Sequence, residues 1–237
     1  MAATNRERLQ AVVQRNVTDQ GFTQEFCHFH LSVAQKLWPV DYFNGQIAKL
    51  KPEMLYKQRT QDDKLVVDQY PDTEEFGLYA NLLLDGILMN AMSTLDTLAH
   101  EIRMLYRFNQ VPHNIYISTI KDCLTRDHAH CALTVYLASE LAKPWFDTFA
   151  TYRHCTTHES LVGPNIRFEI SAITKDLQLA SLPLPGNPRC RPFTYKRGRE
   201  LKSYCNRIRK DITLLVRHAY YCIINDIKRV HNAVPIP

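Results

Sequence analysis

Apolar residues return every three or four positions through most of this chain, and in one short stretch they alternate. In "FTQEFCHFHLSVAQKLW", Phe22, Phe26, Phe29, Val33 and Leu37 share a helical face, and Pro39 ends the pattern. A weaker helix is expected near residues 4 to 16, so N-terminal helices fill about 4 to 38. Residues 40 to 71 are polar and poorly periodic, which predicts loop with one short helix. Asp72 and Glu75 then stand at capping-box spacing, and no proline follows until Pro112, so the longest helix is expected over 74 to 108. Leu84, Leu88, Ala91, Leu95, Leu98, Ile102 and Leu105 form its core face, bordered by a stripe of Asn81, Asp85, Met92, Asp96, His100 and Arg103.

After Pro112 a short element near 115 to 124 leads to a helix over 129 to 158, which Thr125 or Asp127 is placed to cap. Its inner face carries Leu133, Leu137, Leu141, Trp145, Phe149 and Tyr152, and Pro144 predicts a kink or a split. Ile166, Phe168 and Ile170 alternate with polar residues and Leu177 and Leu179 repeat the alternation, predicting a small β-hairpin over about 166 to 180. The Pro-rich "LPLPGNPRCRPFTYKRGR" connects it to a last helix over 200 to 230, with Leu201, Cys205, Ile208, Ile212, Leu215, Ala219 and Cys222 inward. The fold class is therefore mainly all-α, a bundle with a core over 74–160 and 200–230 and a hairpin appendage, in a single domain spanning 1–237.

Composition narrows the setting. A 237-residue chain with 45% hydrophobic content can bury a sizeable core, and seven glycines are few for a turn-rich all-β fold. The seven cysteines are odd in number, scattered and without a Cys-x-x-Cys pair, which argues against a disulfide framework or structural zinc. The start "MAATNRERLQ" lacks the apolar run of a signal peptide, and no window approaches 18 uninterrupted apolar residues, so a cytoplasmic protein with no membrane partner is expected. Charge is uneven. Between Arg189 and Asp211 nine basic residues face two acids, giving +7 where the whole chain is +5. Arg189, Arg191, Lys196, Arg197, Arg199 and Lys202 are the candidate RNA-binding residues of that stripe, because clustered cations gain affinity by releasing counterions from phosphates.

One polar stretch carries candidate chemistry. "YRHCTTHES" places four residues between Arg153 and His158, with His154 directly after the arginine. Spacing alone says little, since a similar pair, Arg107 and His113, occurs elsewhere and about two are expected by chance. Metal chemistry is not expected: "CHFH" (Cys27, His28, His30) and "DHAHC" (Asp127, His128, His130, Cys131) lack histidines at i, i+4 and a Cys-x-x-Cys pair. No Gly-rich phosphate loop, Gly-x-Ser-x-Gly elbow or His-Asp dipeptide is present, and no cofactor is expected.

Context sets Arg153 and His158 apart: the pair closes a helix with an aromatic inner face, after a long helix reading "STLDTLAHEI". Together these features resemble the HEPN superfamily (higher eukaryotes and prokaryotes nucleotide-binding), whose hallmark is Arg, four to six residues, then His, with a polar residue after the arginine. The order of elements looks most like a bacterial branch of that superfamily, over roughly residues 74 to 160 and the final helix. The resemblance implies a HEPN-like bundle of long antiparallel helices, a homodimer, and metal-independent endoribonuclease activity of the toxin or antiphage-defence kind, with RNA as substrate and an antitoxin protein as a further partner. It makes Arg153 and His158 the catalytic pair and His154 the accessory polar residue. The hairpin and the basic connection are not part of the minimal family bundle.

The chemistry is consistent with those residue types. Metal-free RNA cleavage needs a group that takes the 2′-hydroxyl proton or protonates the leaving 5′-oxygen, and imidazole can do either near neutrality. It also needs a fixed cation for the phosphorane oxygens, and a guanidinium never loses its proton. Residues five apart on an ideal helix point about 140° from each other, so Arg153 and His158 converge only if His158 lies past the helix end or a second subunit completes the site. If the two long helices pack antiparallel, Arg153 falls opposite Leu84 and Asp85, making Asp85, and after it Asp96, candidates to orient the arginine or a histidine. Two other readings stay open: Arg153 and the histidines as C-terminal caps complementing the helix dipole, and a non-catalytic helical module that binds RNA, a nucleotide or a partner protein.

Overall fold

Thr4 opens the first helix. Its hydroxyl accepts the Glu7 N–H at 3.3 Å while the Glu7 carboxylate accepts the Thr4 N–H at 2.7 Å, so two donors at the helix start satisfy each other's partners. The computed structural model describes residues 4–17, 19–50, 58–61, 64–67, 73–108, 113–158, 162, 164–170, 177–189, 192–195 and 198–232. Among these the chain is mainly helical, with α1 (Asn5–Asn16), α2 (Gln20–Ala48), α3 (Thr73–Tyr106), α4 (Ile117–Asp127), α5 (Ala132–Leu141), α6 (Pro144–His158) and α7 (Leu201–Asn232). Strands β1 (Gln58–Gln61) and β2 (Lys64–Val67) pair antiparallel, as do β3 (Arg167–Ile170) and β4 (Leu177–Ser181). The chain divides into two compact units, one of Met1–Trp38, Asn90–Thr148 and Lys210–Pro237, the other of Pro39–Met89 and Phe149–Arg209. Helices α2, α3, α6 and α7 each contribute a segment to both.

The expected core faces of α3 and α7 are buried. On α3, Leu84, Leu88, Ala91, Leu95, Leu98, Ile102 and Leu105 are all buried, and on α7 so are Leu201, Cys205, Ile208, Ile212, Leu215, Ala219 and Cys222. From Phe76 to Tyr106, α3 is long and apolar enough to cross a membrane by length and composition, and 56% of its most apolar window is buried inside the protein. Its end is marked by Arg107, held at φ 47, the left-handed conformation in which helices commonly terminate. The Arg107 guanidinium sits 5.9 Å from the Phe22 ring centroid.

Two local expectations are corrected, and a third is met in one of its two forms. Pro39 does not end the second helix: α2 continues to Ala48, because burial of Val40 and Ile47 beyond it outweighs the hydrogen bond a mid-helix proline forfeits. The stretch read as loop with a short helix holds the end of α2 and the β1–β2 pair, with Gln58 opposite Val67. The helix expected over 129 to 158, with a kink or a split at Pro144, is split into two helices, with Pro144 as the first residue of α6, a position where its missing N–H costs nothing. The expected Asp72 cap of α3 lies outside the described residues.

In the first unit, buried polar groups join helices distant in sequence. The Asp226 carboxylate of α7 accepts the N–H groups of Ala132 and Leu133, both at 2.9 Å, and the Tyr106 hydroxyl at 2.8 Å. It caps α5 in place of Thr125, whose hydroxyl bonds the Lys121 carbonyl, and Asp127, which pairs with Arg126. A second cluster ties four helices: His30 on α2 bonds the Glu101 carboxylate of α3 at 2.7 Å and the Arg6 carbonyl of α1 at 3.1 Å, while Tyr220 of α7 donates to Glu101 at 3.0 Å. Because the Arg6 carbonyl can only accept, His30 Nε2 carries a proton, and a second proton lies on the His30–Glu101 bond. Burial pushes Glu101 above the usual carboxylate range, against the pull of His30.

The second unit contains both strand pairs and a tight crossing of α2 on α3, where a methyl group on Gly86 would lie 2.8 Å from the Phe43 ring. It also contains the Pro-rich connection, which folds back on itself. Leu184 N–H bonds the Arg199 carbonyl at 2.7 Å, Leu201 N–H the Leu182 carbonyl at 3.0 Å, and Gly186 N–H the Thr194 carbonyl at 2.8 Å. Asn187 Oδ1 accepts from the Thr194 N–H and hydroxyl, and the Glu200 carboxylate accepts the Leu182 N–H. Leu182, Pro183, Leu184 and Pro185 are buried. Gly198 allows the ladder to close, since a β-carbon there would stand 2.2 Å from the Leu184 carbonyl oxygen.

Candidate functional site

The aromatic face of α6 seats its last turns. Trp145, Phe149, Tyr152 and Cys155 recur at helical spacing and are buried, which leaves Arg153 half-buried and His154 exposed at the end of the helix. The Thr156 and Thr157 hydroxyls both bond the Arg153 carbonyl, at 3.1 and 2.8 Å, an i−3 and i−4 back-bonding that satisfies a carbonyl near the helix end. The Arg153 Nε is buried and has no hydrogen-bond partner among the described residues. A guanidinium nitrogen in that condition still owes a hydrogen bond to an acceptor.

Two residues of α3, one turn apart, meet this end of α6. Thr157 donates to the Met89 sulfur at 3.4 Å, and the Asp85 carboxyl lies beside the Thr156 side chain. Burial holds the Asp85 carboxyl above its usual range, and the Thr156 contact pulls the other way. Asp85 therefore meets α6 at Thr156, one helical turn beyond the register expected from the sequence. Asp96 belongs to the unit that does not contain Arg153. His158 closes α6, and its side chain lies outside the described residues.

The basic connection arrives at the same helix. Tyr152 donates to the Pro185 carbonyl at 2.5 Å and packs on Tyr204, ring centroids 5.1 Å apart. The Arg199 guanidinium lies near the Tyr152 hydroxyl, and Arg189 Nη2 donates to Thr151 Oγ1 at 3.2 Å. Two cations distant in sequence from α6 are thereby brought against the two residues preceding Arg153. Of the other expected RNA-binding residues, Lys202 donates to the Leu50 carbonyl at 2.8 Å, while Arg191, Lys196 and Arg197 lie outside the described residues.

The histidine and cysteine pairs weighed for metal have other partners. His30 is held by Glu101 and Arg6, His128 Nε2 bonds the Tyr106 carbonyl at 2.8 Å, His28 and His130 are exposed, and Cys131 is buried. Sequence reading missed Thr156 and Tyr152 as links, because hydroxyls on a helix give no periodic signal of what they bond. No protein-family model, no curated protein and no solved structure matches the chain.

Proposed function

We propose that this protein is a metal-independent endoribonuclease acting at the last turns of α6, consistent with its resemblance to HEPN proteins. The observation that carries this reading is the return of the basic connection onto α6, where Arg189 bonds Thr151 and Arg199 lies near Tyr152, directly before Arg153. Cations gathered on one helix end suit a phosphodiester, and Arg153, with its Nε still owed an acceptor, suits the developing charge on the phosphorane oxygens. The RNA 2′-oxygen attacks phosphorus, the P–O5′ bond breaks, and His158 serves one of the two proton transfers, with His154 and Asp85 supporting. A second copy of the chain completes the site, since residues five apart on a helix diverge. Placement in the cytoplasm as a toxin or defence effector, with an antitoxin partner, belongs to the same reading.

The test is incubation of the purified chain with total RNA in EDTA. The expected products end in 2′,3′-cyclic phosphate, DNA is spared because it lacks the 2′-hydroxyl, and His158→Ala lowers the rate by about 10²-fold or more. Equal degradation by wild type and His158→Ala, or none by either, replaces this reading with a module that binds RNA, a nucleotide or a partner protein without cutting.

A further inference from the structure

The last turns of α2 and the first turns of α7 enclose a cavity of about 410 Å³, lined by Asn44, Ile47, Ala48, Lys202, Ser203 and Asn206. All six belong to the second unit. Helical spacing brings them together: Asn44, Ile47 and Ala48 share one side of α2, as Lys202, Ser203 and Asn206 share one side of α7. Ile47 is buried and gives the cavity an apolar wall, while Ala48 and Ser203 are exposed, so it is entered from solvent. Its size falls within the range of about 300–1,000 Å³ that pockets for small organic ligands occupy.

The polar groups facing this space are largely uncommitted. Neither the Asn44 side chain nor the Ser203 hydroxyl makes a hydrogen bond among the described residues. The Asn206 amide is engaged through its oxygen, which accepts from Arg209 Nη2 at a long 3.5 Å, and Arg209 also bonds Asp41 at 3.2 Å. Lys202 Nζ donates to the Leu50 carbonyl at 2.8 Å, which leaves the ammonium two further donors. Among the described residues no carboxylate lines the cavity. It therefore offers one positive charge and two primary amides, each with an N–H donor beside an acceptor oxygen.

That set of groups narrows the ligand. A lone anion would use the cation and leave both amide oxygens without a donor, and a hydrocarbon would leave every polar group unpaired. A nucleobase presents a flat face to Ile47 and a hydrogen-bonding edge to the amides. Adenine carries a donor next to an acceptor on both of its edges, N6–H with N1 and N6–H with N7, so it meets two amides at once; the N7 edge of guanine offers two acceptors and suits a cation instead. Lys202 is then left for the phosphate on the ribose. Lys202, Ser203 and Asn206 fall inside the stretch from Arg189 to Asp211 that carries +7, the part of the chain with the charge to draw a polynucleotide backbone.

We propose that this cavity of α2 and α7 holds an adenine base carried on a ribose phosphate, with Asn44 and Asn206 reading the edges of the base and Lys202 attracting the phosphate. The proposal deepens the RNA reading by adding a base preference, and rests on it for the source of the base.

The test measures binding without cutting. Strands of 2′-O-methyl ribose lack the free 2′-hydroxyl that cleavage requires, so fluorescence anisotropy of the full chain with 2′-O-methyl oligoadenylate and oligouridylate of equal length reports on the cavity whether or not the protein is a nuclease. The adenylate strand is expected to bind roughly tenfold tighter, the scale of one two-point base contact. Asn44→Ala with Asn206→Ala removes that preference. On wild-type protein, saturating AMP shifts the NMR signals of the Asn44 and Asn206 side-chain amides, a readout that does not depend on the double variant folding. AMP that displaces the adenylate strand at comparable concentration identifies a free nucleotide as the source of the base; a strand held against a large excess of AMP identifies RNA. Equal affinity for the two strands, a folded double variant that keeps the preference, or unmoved amide signals overturns the proposal, and each leaves the cleavage assay at α6 to its own result.

Discussion

Asp226 and Arg153 are both charged residues beside the core, and they are treated differently. The Asp226 carboxylate is almost fully buried and accepts three donors, so both of its oxygens are used and the group serves to join α7 to α5. Arg153 is half-buried, its carbonyl doubly bonded and its Nε without a partner among the described residues. A buried charge whose bonds are complete holds helices in place, whereas a shielded charge with a bond outstanding is available to a ligand.

The comparison can be broken in order of expected effect. Asp226→Ala leaves two helix N–H groups and the Tyr106 hydroxyl buried without their acceptor, and is expected to cost about 3–5 kcal/mol in chemical denaturation; a loss below about 1 kcal/mol would show that water replaces the carboxylate. Arg153→Ala is expected to change stability by less than about 1 kcal/mol while slowing RNA cleavage about 10²-fold, equivalent to about 2.7 kcal/mol in the barrier. Similar stability losses in both variants would place the two residues in the same structural role. Gly198→Ala forces a β-carbon against the Leu184 carbonyl and is expected to cost about 1–3 kcal/mol, with weakened RNA binding because Arg199 is displaced from Tyr152. The smallest effect is a pH dependence. The folded state holds Asp85 above its ordinary range, so the unfolded chain ionises first and Asp85 erodes stability as pH rises through the carboxylate range. The stability of Asp85→Asn relative to wild type should therefore increase over that interval, measured by urea midpoints at stepped pH.

Much of this was legible in the sequence where periodicity carries it. The core faces of α3 and α7 follow from spacing alone, because helix burial imposes a 3.6-residue period on apolar side chains. The run of α2 past Pro39 was also written there, as Val33, Val40 and Ile47 recur every seven residues, but a proline is weighed locally while the burial that overrides it is tertiary. The cap on α5 could not be read, since Asp226 stands 94 residues beyond Ala132. At α6, Arg153 and Asp85 were readable as candidates from type and position, whereas the docking of Arg189 and Arg199 was not: charge density shows in a sequence, but the fold-back of the connection depends on burying Leu182 to Pro185.

The long-range cap also orders events during synthesis. A ten-residue helix such as α5 is marginal in isolation, and its first amides receive their acceptor only from α7. On a ribosome, α5 therefore emerges and waits through the translation of almost a hundred further residues before Asp226 leaves the exit tunnel. In that interval α5, with the apolar Leu133 and Leu137, lacks its cap from α7, and apolar surface left exposed on a nascent chain is prone to aggregate.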